Sequence, residues 1–78
     1  MAQLSFTRAQ AQAKVGTRVR TRVACAGVPQ GAIGAVVRVD PVIDGYDVEV
    51  AWLWSGRRTP WIDWFTREEY EARVTELE

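Results

Sequence analysis

Arg18, Arg20 and Arg22 stand at every second position of a run of β-formers, Val-Gly-Thr-Arg-Val-Arg-Thr-Arg-Val, from Val15 to Val23. Alternate side chains of an extended strand share a face, so the three guanidinium groups fall in a row about 6.5–7 Å apart. Such a row, extended by Arg38 on the next strand and by Arg57 and Arg58 in a later turn, can follow the phosphates of a polyanion. Trp61, beside Pro60 and near the turn at 55–58, adds an aromatic surface that stacks on a base or seats in a partner protein. Arg18, Arg20, Arg22, Arg38, Arg57, Arg58 and Trp61 are therefore the candidate binding residues. The stripe has a second reading as a solvated outer face, paired across the sheet with Asp47 and Glu49, where surface ion pairs contribute little.

Other chemistries are excluded by composition. The chain has no His, which removes the commonest general base and the commonest metal ligand together, and its single Cys25 forms no intramolecular disulfide. Set between Ala24 and Ala26 in a strand pattern, Cys25 reads as a small buried apolar group. Glu49 and Asp63 are the acids that could be semi-buried, but a general base also needs a pocket and a partner. With no nucleophile motif and no phosphate-cradling glycine loop, the chain reads as non-catalytic, with no metal and no cofactor.

Length and charge narrow the reading further. Seventy-eight residues make one domain, which buries roughly 60% of its unfolded surface. A hydrophobic content of 47% with four Trp supplies a single core. The formal net charge is zero, yet residues 1–39 carry six cations and no acid, while residues 40–78 carry ten acids against four cations. Opposed halves suit a protein partner or a second copy, and the zero total argues against a simple nucleic-acid binder. No apolar run approaches the ~18 residues of a membrane span. The first residues lack the basic-then-apolar pattern of a signal peptide, so a cytoplasmic location is expected.

The elements that position these residues follow from periodicity. Residues 1–14 read as a tail or a short helix over about 6–14, capped by Ser5 or Thr7, with Leu4 and Phe6 available to cover one end of the fold; residues 15–78 form the folded domain. The first strand turns Val19, Thr21, Val23 and Cys25 inward. Gly27-Val28-Pro29-Gln30-Gly31 is a loop. The second strand spans about 32–39, with Ile33, Ala35, Val37 and Val39 on one face, Gly34, Val36 and Arg38 on the other, and a bulge expected near Gly34. Asp40-Pro41 closes it, and Asp44-Gly45 signals a tight hairpin. Tyr46, Val48, Val50, Trp52 and Trp54 share one face of the third strand, with Asp47, Glu49, Ala51 and Leu53 on the other.

After a turn at 55–58 comes a short strand over about 59–63. A core this small holds two or three of Trp52, Trp54, Trp61 and Trp64; Trp61, out of phase with Ile62 and Trp64, is the one expected at the surface, the alternative being that all four are core. The last element is a helix with a Thr66–Glu69 capping box, Phe65 placed to staple onto Tyr70, and an apolar stripe of Tyr70, Val74 and Leu77.

Three stretches carry a resemblance. Val15-Gly16-Thr17-Arg18-Val19-Arg20 resembles the opening of SH3-like small β-barrels, Gly31-Ala32-Ile33-Gly34-Ala35-Val36-Val37 the glycine-containing second strand of KOW-type domains, and Tyr46-Asp47-Val48-Glu49-Val50-Ala51-Trp52 their third strand. The resemblance implies an all-β, SH3-like five-stranded barrel with a C-terminal α-helix, the N-terminal segment being a tail or short helix. Members of this structural group bind RNA in ribosomal and transcription factors or serve as small docking subunits of photosynthetic and redox complexes.

Gly45-Tyr46-Asp47-Val48-Glu49 is also similar to a stretch of the plasmid-borne type II dihydrofolate reductases, small SH3-like barrels that work as tetramers around a central pore. Their Val-Gln-Ile-Tyr motif falls on Ile62-Asp63-Trp64-Phe65, where the Gln and the Tyr hydroxyl are missing. Docking to a protein partner or self-association is therefore the first expectation. Nucleic-acid binding through the arginine stripe and Trp61 is the second, and a reductase-like homotetramer the third.

Overall fold

Antiparallel ladders join five strands into one open sheet with two short helices, in a computed structural model that describes residues 5–24 and 27–77. The strands are β1 (Arg18–Thr21), β2 (Ile33–Val42), β3 (Gly45–Leu53), β4 (Trp61–Phe65) and β5 (Val74–Glu76); the helices are α1 (Arg8–Lys14) and α2 (Arg67–Arg73). Side by side the strands run β4-β3-β2-β1-β5. The fold is mostly β, and its ladders leave β4 and β5 as outer strands.

One face of the sheet makes the core. On β3 the alternation predicted from sequence holds: Val48, Val50 and Trp52 are fully buried, and Tyr46 and Trp54 pack against the same cluster. Trp52 meets Phe65 edge to face with centroids 6.1 Å apart. Opposite Trp52 on β2 stands Gly34, where a Cβ would lie 2.7 Å from the indole and 2.7 Å from the Ala51 carbonyl oxygen. Only glycine leaves room for that ring.

The inward residues of β2 are Gly34 and Val36, then Val39, because the register shifts between Val36 and Arg38. The bulge therefore falls at Val37 rather than near Gly34, and Val37 is left 47% exposed. Nor does Asp40-Pro41 close β2. The Tyr46 N–H opposite Pro41 donates to the Phe6 carbonyl, away from β2, so in an antiparallel pair the Pro41 nitrogen also faces away from β3. Its missing N–H falls on the open side of the ladder and the strand continues to Val42. Ile43 and Asp44 then form the two-residue turn between paired Val42 and Gly45.

Both helices start on a reciprocal capping box. In α1 the Thr7 hydroxyl accepts from the Gln10 N–H and the Gln10 side chain accepts from the Thr7 N–H; in α2 Thr66 and Glu69 do the same. Phe6 and Ala11 are buried, and Phe6 meets Tyr70 edge to face at 5.8 Å. Phe65 thus turns to Trp52, and Phe6 becomes the aromatic partner of Tyr70. The predicted helical stripe to Leu77 is corrected: α2 ends at Arg73, and β-branched Val74 and Thr75 pair with Thr21 and Arg20 as β5. A three-residue strand ladder outcompetes a final helical turn.

β1 is shorter than its pattern. The Thr21 hydroxyl donates to the Val23 carbonyl and accepts from the Val23 N–H, which turns the chain out of the sheet and leaves Val23 46% exposed. The expectations for Cys25, Ala26 and Leu4 lie outside the described residues. β4 begins two residues later than expected and runs to Phe65.

Candidate functional site

The seven predicted binding residues do not form one surface. Arg18 and Arg20 project from the outer face of β1, opposite Ala35 and Ile33, and have no hydrogen-bonded or ionic side-chain partner among the described residues. Arg22 lies past the end of β1, and its guanidinium donates to the Glu71 carbonyl of α2. Arg38 is engaged with acids: its Nε lies 2.5 Å from Glu49 and one terminal nitrogen 3.3 Å from Asp40. Glu49, 6% exposed between Arg38 and Trp64 in its cross-strand row, is thus an ion-pair partner rather than a free carboxylate. Asp63 accepts from the Trp64 N–H at 2.9 Å.

Arg57 is held in a clamp. Its guanidinium lies 5.0 Å from the ring centroids of both Trp54 and Trp61, and its Nε donates to the Thr59 carbonyl at 2.9 Å. Trp61 is 39% exposed, on the Trp52 side of β4. Arg58 is exposed in the same turn. The predicted arginines resolve into Arg18, Arg20 and Arg58, with no side-chain partner among the described residues, and Arg22, Arg38 and Arg57, already bound within the fold.

A different surface comes forward. On the outer face three cross-strand rows stack: Arg20, Ile33 and Leu53; Arg18, Ala35, Ala51 and Ile62; Arg38, Glu49 and Trp64. Leu53 is 49%, Ile62 43%, Trp64 53% and Val37 47% exposed, with Ile33, Ala35 and Ala51 half-buried between them. Exposed apolar side chains scattered singly need no explanation; a contiguous group rimmed by charge marks an interaction surface. Trp61 is at the surface as expected, and Trp64 is the more exposed indole. The sequence signal for it was the phase of β4: Trp61 and Phe65 share the core side, which sends Ile62 and Trp64 outward.

The edge beside this face is blunted. The Trp64 N–H is taken by Asp63 and the Thr66 N–H by the Glu69 side chain at 3.0 Å, and Pro60, in the same phase, has no N–H. Ile62 alone in that series keeps an N–H without such a cap. Strand addition at β4 therefore finds few donors, which leaves the face as the accessible surface.

At the far end of the outer face the charge is negative. Asp40 stands opposite Asp47 near the tip of the β2–β3 hairpin, where Ile43 is fully exposed and Val42 41% exposed. Burial, and then the neighbouring charges of Glu69 and Asp40, raise the Asp47 carboxyl above the ordinary aspartate range. A shallow groove of about 470 Å³ beside the tip is lined by Ser5, Val42, Ile43, Asp44, Asp47 and Thr66.

The opposite flank is internally satisfied. Glu76 receives Lys14 at 2.6 Å and the Tyr70 hydroxyl at 2.7 Å, tying α1, α2 and β5 together. Lys14, then Tyr70, hold the Glu76 carboxyl below its ordinary value, and burial followed by the bond to Glu76 pushes the Tyr70 phenol up. Among the described residues no group of three His, Cys, Asp or Glu could hold a metal, and no helix is long and apolar enough to cross a membrane. Comparison with protein-family models, with curated proteins and with solved structures finds no significant match.

Proposed function

We propose that the chain is a non-catalytic interaction module that docks a protein partner, or another copy of itself, through the outer face of its sheet. The observation that carries this reading is the contiguous exposed patch of Val37, Leu53, Ile62 and Trp64 on the face turned away from the core. Desolvating such side chains rewards a partner that brings its own apolar centre and polar rim. Three of the four are aliphatic, and aliphatic side chains offer nothing on which a base can stack, which favours protein over nucleic acid. The blunted β4 edge favours face docking over strand exchange.

The finer fold reading, an SH3-like barrel, is part of the same proposal. It is supported by the five antiparallel strands and by the bulge at Val37, since bulges bend and twist the strand that carries them. The proposed compartment is the cytoplasm, on the absence of paired cysteines. Nucleic-acid binding stands second, favoured by Arg18 and Arg20 having no partner among the described residues while they border the patch.

A photo-cross-linking residue at position 62, with position 8 on α1 as the control, tests the reading in cells expressing the full chain. Protein adducts at 62 and not at 8 are expected. Adducts removed by nuclease would move nucleic acid to first place, and equal labelling at both positions would sink face-specific docking.

A further inference from the structure

We infer that the occupant of the outer face is a second copy of this chain, docked face to face about a two-fold axis. This rests on the outer-face reading above and adds the identity of the partner. A two-fold contact requires one patch to be complementary to itself when turned end for end. The outer face meets that requirement along the strand direction: Arg20 stands in the row at one end, which it shares with Leu53, the Ile62 and Trp64 rows lie in the middle, with Arg18 in the Ile62 row, and Asp40 and Asp47 stand at the other end.

Successive outer-face rows on a strand are about 6.5–7 Å apart. With an axis crossing the strands between the Ile62 row and the Trp64 row, Ile62 of one copy lies over Trp64 of the other. The same operation brings the Arg20 row of each copy over the Asp40–Asp47 row of its mate, with Arg20 on β1 one strand across from Asp40 on β2, within reach of a long side chain, and two strands across from Asp47 on β3. Each contact occurs twice. The zero net charge, divided into a basic N-terminal and an acidic C-terminal half, removes any overall repulsion between copies.

Local electrostatics agree. Within one chain Arg18 and Arg20 have no acid among the described residues, while Asp40 and Asp47 face each other across β2 and β3. Like charges directly opposite in a ladder oppose folding. Arg38, 3.3 Å from Asp40, offsets part of this within the chain, and an arginine from the second copy offsets more of it while giving Arg20 an acid to face. The contact spans four strands about 4.8 Å apart and is about four rows long, which places it toward the small end of protein interfaces, with an association that is concentration-dependent rather than permanent.

Sedimentation velocity on the full chain, from about 1 µM to about 1 mM, tests the inference, with Arg20→Glu and Asp47→Arg as single variants. Arg20 is exposed and Asp47 half-buried, and circular dichroism checks that each variant keeps the wild-type fold. The wild type is expected to pass from one chain to two and stop there, weakening about tenfold between low and moderate salt. Each single variant sets like charges against each other and is expected to dimerise at least tenfold more weakly. An equal mixture of the two restores opposite charges at both ends and recovers the dimer.

A chain that stays monomeric throughout, a mass that grows past two, or a mixture no stronger than its components would overturn the two-fold dimer. The two readings fail separately. Monomeric protein that still labels a foreign protein from position 62 overturns only the second copy, whereas dimerisation unchanged in Ile62→Ser/Trp64→Ser overturns the outer face itself.

Discussion

β3 carries two sets of side chains that share a backbone and differ in everything else. Toward the helices, Val48, Val50 and Trp52 are fully buried; toward the other side, Leu53 is half exposed and lies in the same sheet face as Ile62 and Trp64. Both faces contain an indole and branched aliphatics, so composition does not separate them. What separates them is cover: Phe6, Ala11 of α1 and Tyr70 of α2 pack on the inner face, while Leu53, Ile62 and Trp64 on the outer one stay about half exposed. Folding stability is concentrated on the inner face. The apolar residues of the outer face contribute little to it, which is why that face is read as a docking surface.

The two faces respond differently when one indole is removed from each side. Trp52→Ala deletes a fully buried ring and its edge contact with Phe65, and is expected to cost about 3–5 kcal/mol. Against a total of about 5–15 kcal/mol that leaves a domain near or past its unfolding threshold. Trp64→Ala is expected to shift stability by no more than about 0.5 kcal/mol, while abolishing cross-linking from the outer face. Thermal melts of the two variants check the contrast, and equal losses would remove the distinction between the faces.

A smaller and more local effect tests the same boundary from the backbone. Gly34→Ala places a Cβ against both the Trp52 ring and the Ala51 carbonyl, and overpacking of this kind costs about 1–3 kcal/mol. The next residue points the other way. Ala35→Val adds two methyl groups on the outer face, where a β-branched side chain is well accommodated, and is expected to leave the melting temperature within about 2 °C of wild type.

Much of the inner face was legible in the sequence, because period-two alternation from Tyr46 to Trp54 and the Thr66–Glu69 capping box are local signals with one physical solution. The outer face was harder to read. Its identity depends on where β2 bulges and on the phase of β4, and both are decided by pairing partners far away in the chain. Placing the bulge at Gly34 instead of Val37 hides Val36 from the core. Trp61 is at the surface as expected, with Arg57 packed against both it and Trp54, but Trp64 on the other face is more exposed still. The arginine stripe was visible as a pattern, but whether each guanidinium is committed depends on tertiary neighbours: Glu49 and Asp40 for Arg38, the Glu71 carbonyl for Arg22. The C-terminal strand was missed because three residues carry too short a pattern to compete with the helix before them.

The smallest expected effect compares two acids, and their pH dependences run in opposite directions. Glu76 is held below its ordinary value by Lys14 and Tyr70, so its contribution to stability is present above about pH 4.3 and is lost as pH falls through its lowered folded-state value. Asp47 is raised by burial, Glu69 and Asp40, so the fold is favoured while it is protonated, and that contribution is lost as pH rises through its raised value. Both groups are largely at the surface, which limits each effect to about 0.5 kcal/mol. Glu76→Gln is therefore expected to lower the melting temperature slightly at neutral pH, and Asp47→Asn to raise it, with both differences fading below about pH 4. Asp47→Asn carries one further consequence. If the tip acids serve the second copy, the variant gains stability as a monomer while its dimer weakens, a divergence that melts and sedimentation at the same pH measure directly; a variant stabler in both respects would leave Asp47 with no part in the contact.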